Sequence, residues 1–455
     1  LRYSINREPF GLNTDKNDFQ PRAGFAYDIT SDGKTVIRGG AGIFTAYVNR
    51  LVAGVIRTLG NPNFPDDNIN IVLATATSGG LPRDPANPGA GFLPTSFAVY
   101  QRFLAVTNNF QRTPTAADLA IFGVVPTENS TLEVRFLGDP NYKTPESYQA
   151  SLGIERDLGY GFSGEISYLY NRGIFLTRNR DANQFKRTGP VSPLNPDGGA
   201  TFIRFPTAAQ RTAGLTSDFQ NPFRFQDNIY ESSANSFYNA ATFVLRRRFA
   251  QNFSILAHYT LSKTIDEVTD FNSDFSAENP LDLRADRALS SFDQRHRVVL
   301  SGVYQTKQYG NSTAGKIFSN FVISPIFNYG SGRPFNVLLG FDANGDGRSQ
   351  SDRPGTLGRN TGIGESFYSL DTRLSRRFKF SERQNLEILV EGFNLFNRTN
   401  FQGINNIVGG LSLAERNALG TGPARGIEGI APTAPLGFTS AAPARQLQFG
   451  ARFSF

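Results

Sequence analysis

RQLQFGARFSF, residues 445–455, closes the chain. Leu447, Phe449, Ala451, Phe453 and Phe455 alternate with Gln446, Gln448, Gly450, Arg452 and Ser454. Strict period-two alternation means a strand with one apolar and one polar face. Left at the edge of a soluble protein, such a strand would template aggregation. In the wall of a transmembrane barrel it is well placed, with its apolar face in lipid and its polar face toward the lumen.

The same pattern recurs upstream. Residues 19–29 put Ala23, Phe25, Tyr27 and Ile29 on one face, and 35–47 follow across an Asp-Gly turn at 30–34. Segments 148–154 and 162–171 pair through Gly159-Tyr160-Gly161, and 237–249 pair with 253–265 through Ala250-Gln251-Asn252. Segments 296–306 and 316–329, then 368–378 and 386–397, make two further hairpins before the terminal strand. With residues 1–8 this predicts about twelve strands of roughly ten residues, the length that a tilted membrane strand needs. The connections between hairpins are long: 48–145, 177–236, 266–294, 330–365 and 398–445. Short turns on one side and long loops on the other predict an all-β, antiparallel transmembrane β-barrel in the bacterial outer membrane, with the long loops extracellular. A soluble sandwich also alternates, but its turns are short at both ends.

Composition agrees. The 455 residues include 41 Phe, 16 Tyr and 45 Gly, which favours strands and turns. Mean hydropathy is −0.32, and no apolar run approaches the length of a transmembrane helix. A barrel wall needs no such run, because each strand shows lipid only every second residue. Cysteine is absent, which excludes disulfides and thiol-ligated metals. The net charge of +7 invites a nucleic-acid reading, but the arginines are spread along strands. The one dense cluster, Arg246, Arg247 and Arg248, sits at a strand end, where basic side chains reach the polar membrane interface. Nucleic acid is therefore not an expected partner; lipid is.

Seven segments together resemble TonB-dependent outer-membrane receptors, specifically the Oar-like branch. They are FQPRAGFAYDIT (19–30), TVIRGGAGIF (35–44), HYTLSKTIDE (258–267), DQRHRVVLSGVY (293–304), DANGDGRSQSDRPG (342–355), EGFNLFNRTNF (391–401) and the terminal strand. The resemblance implies a 22-stranded barrel, of which this chain is the C-terminal portion, with a plug domain and a TonB-contacting segment lying elsewhere. It implies energy-coupled passage of a ligand bound at the extracellular loops, with the TonB complex as partner. The terminal Phe453 and Phe455 resemble the signal read by the barrel-assembly machinery. Two other functions remain open: a surface adhesion or structural protein that uses the barrel as an anchor, and a passive pore.

Catalytic chemistry has little support. The two histidines, His258 and His296, fall in wall segments, and no nucleophile elbow, phosphate-binding loop or zinc motif accompanies them. The best local constellation is DANGDG. Asp342, Asn344 and Asp346 stand at the 1, 3 and 5 spacing of a calcium loop, with Gly347 at 6. The twelfth position is Arg353 rather than Glu, and Asp352 stands one residue early. These four side chains fit a calcium site of weak, extracellular type, with calcium as the one cofactor to expect. They also fit an Asx-rich turn that holds only its own backbone. Along the polar strand faces, Glu155, Glu165, Arg246, Arg248, Arg297 and Glu391 are expected to bond across the wall or to meet lumen contents. Aromatic-rich pieces of the loops, FRFQDNIY (223–230) and the surroundings of Phe92 and Phe97, are candidates for ligand contact.

Overall fold

The computed structural model describes residues 18–46, 104–105, 108, 133–222, 224–267, 277–307, 313, 319–381 and 384–455. Eleven strands follow one another as an antiparallel meander. They are β1 (Arg22–Asp28), β2 (Thr35–Thr45), β4 (Glu146–Gly159), β5 (Phe162–Asp181), β6 (Arg224–Ala250), β7 (Phe253–Glu267), β9 (His296–Gln305), β10 (Phe321–Gly330), β13 (Phe367–Lys379), β14 (Asn385–Phe393) and β17 (Gln446–Ser454). Off this path, β3 (Glu133–Gly138) pairs parallel to β6, and β8 (Arg287–Leu289) pairs with β7. The edge strands β1 and β17 do not pair with each other among the described residues. The expected strand at 1–8 lies outside those residues.

Pairing register carries one apolar face from strand to strand. Tyr27 stands opposite Ile37, Ile37 opposite Ile154, Ile154 opposite Ile166, and Ile166 opposite Phe243. The row continues through Tyr259, Val298, Tyr329 and Tyr368. A second row runs from Leu374 through Val390 to Phe449. Leu152 is 56% exposed and Phe449 is 74% exposed. A continuous exposed apolar wall of this extent would be untenable in water and is what lipid requires. In β2, a Cβ added to Gly39 would lie 2.6 Å from the Phe25 ring, so the glycine leaves room for that aromatic on the neighbouring strand. On the opposite face, Arg38 pairs with Glu155 at 3.2 Å, and Arg373 reaches Glu387 at 3.3 Å and Glu391 at 3.8 Å. These are bonds across the wall.

The short turns gather at one rim. Gln251 and Asn252 both take positive φ, at 50° and 74°, which matches the right-handed twist of the β6–β7 hairpin. Arg247 does not reach outward from the basic cluster as expected. It is buried, and its guanidinium donates to the carbonyls of Ala250 (2.7 Å), Phe253 (3.0 Å) and Tyr160 (3.3 Å). Its charge lies 3.5 Å from the centroid of the Phe253 ring. One side chain thus ties the β6–β7 turn to the β4–β5 turn.

The long connections leave from the other rim, and two of the expected boundaries need correction. Of the stretch 177–236, only 182–223 connects strands, because β5 runs on to Asp181 and β6 begins at Arg224. In these extensions polar residues predominate, so the apolar row that marks the wall is interrupted while the hydrogen-bond ladder continues. At about 3.3 Å per residue, the 27 residues of β6 extend far beyond a membrane-spanning length. The other connections also carry structure of their own. β11 (Pro334–Phe335) pairs with β12 (Gly362–Ile363), and β15 (Phe401–Ile404) pairs with β16 (Phe438–Ala441). A short helix, Leu413–Ala418, starts at a capping box made by Ser412 and Glu415.

These connections pack into a cap. Its apolar core is small: Val337, Val408, Ala424 and Leu436, with Phe335 and Ile404 against it. Phe202, Ile203, Phe219 and Leu339 are buried elsewhere in the connections. Polar contacts join these apolar groups, and the calcium-like loop is part of them.

Candidate cation site in the cap

The loop that follows β11 curls tightly on its own backbone. Asp342 accepts from the amides of Gly345 (2.7 Å), Asp346 (3.2 Å) and Gly347 (2.8 Å). Asp346 accepts from Arg348 N (2.7 Å), and Asp352 accepts from Asn344 N (3.2 Å). Gly345 and Gly347 hold φ of +76° and +88°, where glycine carries no Cβ penalty.

This curl brings three carboxylates together. One oxygen from each of Asp342, Asp346 and Asp352 lies within 4.8 Å of the others. Asp342 is exposed, whereas Asp346 and Asp352 are each about 1% exposed. Asn344 joins the loop differently. Its Oδ1 accepts from Asp346 N (2.9 Å), and its Nδ2 donates to the Glu278 carbonyl (3.1 Å). Arg353, where a calcium loop would carry Glu, forms ion pairs through Nη2 with Glu278 and Asp286, both at 2.6 Å.

The electrostatics of the trio are unbalanced. None of the three carboxylates makes an ion pair among the described residues. Two full charges 4.8 Å apart repel by roughly 3 kcal/mol at an effective dielectric constant of about 20. Burial pushes the Asp346 carboxyl up to about 7, with the nearby Arg348 charge opposing it. Burial, then the Asp346 and Asp342 carboxylates, push Asp352 up to about 8. Asp352 Oδ2 is buried without a hydrogen-bond partner.

The loop is also the meeting point of several connections. The Phe202 amide donates to the Asn344 carbonyl (2.7 Å), and Gln184 Nε2 donates to the Asp346 carbonyl (3.2 Å). Arg348 donates to Asn228 Oδ1 on β6 (2.6 Å). Arg359 bonds to the Asp266 side chain and to the Asp286 carbonyl. No local pattern announces Arg353, Glu278, Asp286 or Arg359, because their partners lie far away in sequence. Their only signal is that charged residues crowd Pro- and Gly-rich connections.

Other expected positions are placed as follows. FRFQDNIY is not a free binding loop: residues from Arg224 onward belong to β6, and Gln226, Asp227, Asn228 and Tyr230 are buried. Phe223, Phe92 and Phe97 lie outside the described residues. His258 sits within β7, and His296 Nδ1 lies 2.9 Å from the Tyr259 hydroxyl with the two rings stacked. Phe453 is the penultimate residue of β17, and its ring lies 6.1 Å from that of Phe455. A cavity of about 810 Å³ opens where the wall meets the cap, lined by Arg297, Tyr329, Arg333, Phe335, Glu365 and Phe401, among others.

The sequence profile of the family described as "Outer membrane beta barrel domain" matches residues 6–355 and 350–448. No curated protein matches the chain. Among solved structures, the outer membrane transporter YddB from Escherichia coli aligns at 10% identity and TM-score 0.46, over 94% of this chain and 39% of its own. A variant of the ferric enterobactin receptor PfeA from Pseudomonas aeruginosa aligns at 10% identity and TM-score 0.43, over 96% and 40%. BauA, the ferric preacinetobactin receptor from Acinetobacter baumannii, aligns at 10% identity and TM-score 0.40, over 96% and 36%. The chain therefore spans about two fifths of the length of these structures.

Proposed function

Because this chain belongs to the outer membrane beta barrel domain family and lies in the bacterial outer membrane, we propose that it is the ligand-facing part of a TonB-dependent receptor or transporter. The observation that carries this reading is the arrangement of connections. Short turns line one rim, while among the described residues the long connections from the other rim bond to one another as a cap. A barrel used only to seal itself has no need of such a cap, and rigid scaffolds commonly present binding residues on loops. In this reading the cap faces the cell exterior, and the cavity at its base offers two arginines, a glutamate and aromatic rings to a ligand. The resemblance of the wall segments, in their order along the chain, to TonB-dependent receptors supports the transport step. A plug and a TonB-contacting segment would be supplied by the complete protein, within a 22-stranded barrel.

The test expresses the complete protein in a host with and without TonB and follows which compounds leave the growth medium. Depletion of a compound only when TonB is present supports transport. Depletion that ignores TonB would replace this reading with a passive pore. No depletion, together with attachment of cells to a surface or partner, would replace it with an adhesion or structural role.

A further inference from the structure

We propose that Asp342, Asp346 and Asp352 bind a calcium ion that locks the long connections into the cap. Two independent observations carry this. The first is convergence: three carboxylates from one curled loop bring an oxygen each within 4.8 Å, and none is neutralised by an ion pair among the described residues. The second is an orphaned group. Asp352 is about 1% exposed and belongs to that convergent set; its Oδ1 accepts from Asn344 N, but its Oδ2 is buried with no hydrogen-bond partner. A buried carboxylate oxygen without a donor is costly unless a proton or a cation completes it.

The arginines closest in sequence are committed elsewhere. Arg348 donates to Asn228, and Arg353 pairs with Glu278 and Asp286; Arg187, Arg204 and Arg348 attract the trio through space, but none of them forms an ion pair with it. The donor set also selects the ion. All three ligands are carboxylate oxygens, from a chain with no cysteine and with both histidines placed in the wall strands. Oxygen-only, irregular sites suit Ca²⁺, which takes flexible coordination and completes its shell with water. Exposed Asp342 leaves an entry path.

The ligand set differs from the 1, 3, 5 row of the sequence motif. Asn344 serves as a strut: its amide bridges Asp346 N and the Glu278 carbonyl, and its own carbonyl receives the Phe202 amide. An ion held by the trio would thus order a loop to which 182–223 and 277–290 are already bonded.

The experiment uses the complete protein in detergent, first stripped of divalent ions with a chelator. Calcium chloride alone is then titrated while calorimetric heat and amide exchange are followed. Saturable heat is expected with a dissociation constant of about 10⁻⁴–10⁻³ M, as in extracellular sites of limited charge. Exchange at Gly345, Gly347 and Phe202 is expected to slow with the same midpoint. Asp352→Asn keeps the shape and removes a charge, and is expected to weaken binding roughly tenfold or more. Absence of calcium-specific heat and protection up to roughly 10 mM, well above the range of such sites, would overturn the proposal. So would an equal response to sodium chloride at matched ionic strength, or a wild-type response from Asp352→Asn. If that variant does not assemble, judged by heat-modifiable gel mobility, Asp342→Asn replaces it. There Oδ1 can still accept from Gly345 and Asp346 while the Gly347 amide loses its acceptor, and unchanged binding overturns the proposal equally.

Discussion

Arg353 Nη2 lies 2.6 Å from Asp286 Oδ1, so one guanidinium spans two long connections that leave the wall at different strand pairs. The same nitrogen meets Glu278 Oε2 at 2.6 Å, and Nε donates to the Leu357 carbonyl at 3.0 Å. All three acidic and basic partners are largely removed from water, which makes this group a principal tie of the cap.

Arg353→Ala should therefore loosen the cap and spare the wall. Breaking a buried pair leaves its partners uncompensated, at a cost of about 3–5 kcal/mol. Limited proteolysis should cut 277–290 and 331–366 faster, while heat-modifiable mobility of the barrel stays unchanged. Equal sensitivity of both readouts would mean that wall and cap unfold as one unit.

Glu278 makes the cap sensitive to pH in the same sense as Asp346 and Asp352, whose carboxyls are raised to about 7 and about 8. Burial raises its carboxyl above the ordinary 4.5, with Arg353 opposing the shift. Between the unfolded and folded values the folded protein holds a proton that the unfolded chain releases. Stability is then greatest below the unfolded value and is lost as pH rises through the folded value. In chelator, cap amides corrected for intrinsic exchange should be better protected near pH 5 than near pH 8. Glu278→Gln should reduce that slope; a slope identical to wild type would remove Glu278 as a contributor.

Gly345 should tolerate no side chain. Its φ is +76°, and a Cβ there would lie 2.6 Å from the Phe202 carbonyl oxygen. Gly345→Ala should cost about 1–3 kcal/mol and speed exchange at the Phe202 amide. Gly420→Ala, where a Cβ would meet nothing within 4 Å, is the matched control and should change little.

Arg247 should matter to the short-turn rim. Arg247→Ala removes charged donors to three backbone carbonyls and should lower urea stability in lipid vesicles by about 2–3 kcal/mol. Arg247→Lys should recover only part, because one ammonium cannot reproduce the guanidinium fork. Full recovery by lysine would reduce the role of this residue to its charge.

The two faces of the wall should respond oppositely to charge. Leu152→Arg places a cation on the lipid row and should cost roughly 2–4 kcal/mol if it lies near the midplane. Ser151→Arg, one residue away and on the other face, should be nearly neutral. Refolding yields in vesicles compare the two, and the reverse order would invert the assignment of inside and outside.

The wall was legible because lipid imposes a local rule on every strand. Tyr27, Ile154, Ile166 and Phe243 could be placed on one face by counting in twos, and their pairing register agrees. The β6–β7 turn was legible for a similar reason, since Gln251 and Asn252 had to turn within two residues. The reading weakened where strands left the lipid. FRFQDNIY reads as part of a loop because it sits in a long polar connection, yet Gln226, Asn228 and Tyr230 are buried in β6.

At the candidate site, the 1, 3, 5 spacing located the loop and Asp352 beside it. It did not separate Asn344, a strut, from the three carboxylates that converge.

From the sequence alone follow the membrane wall, its lipid-facing rows, its turns and the position of the acidic loop, since each depends on neighbours a few residues apart. The three-dimensional arrangement chose the partners of Arg247, Arg353, Asp346 and Gln184. Buried polar groups must be satisfied, but the donor or acceptor that satisfies them can lie far along the chain, as Gln184 does from Asp346. No periodicity encodes such a pair; only the packing of the connections over the wall brings the two groups within bonding distance.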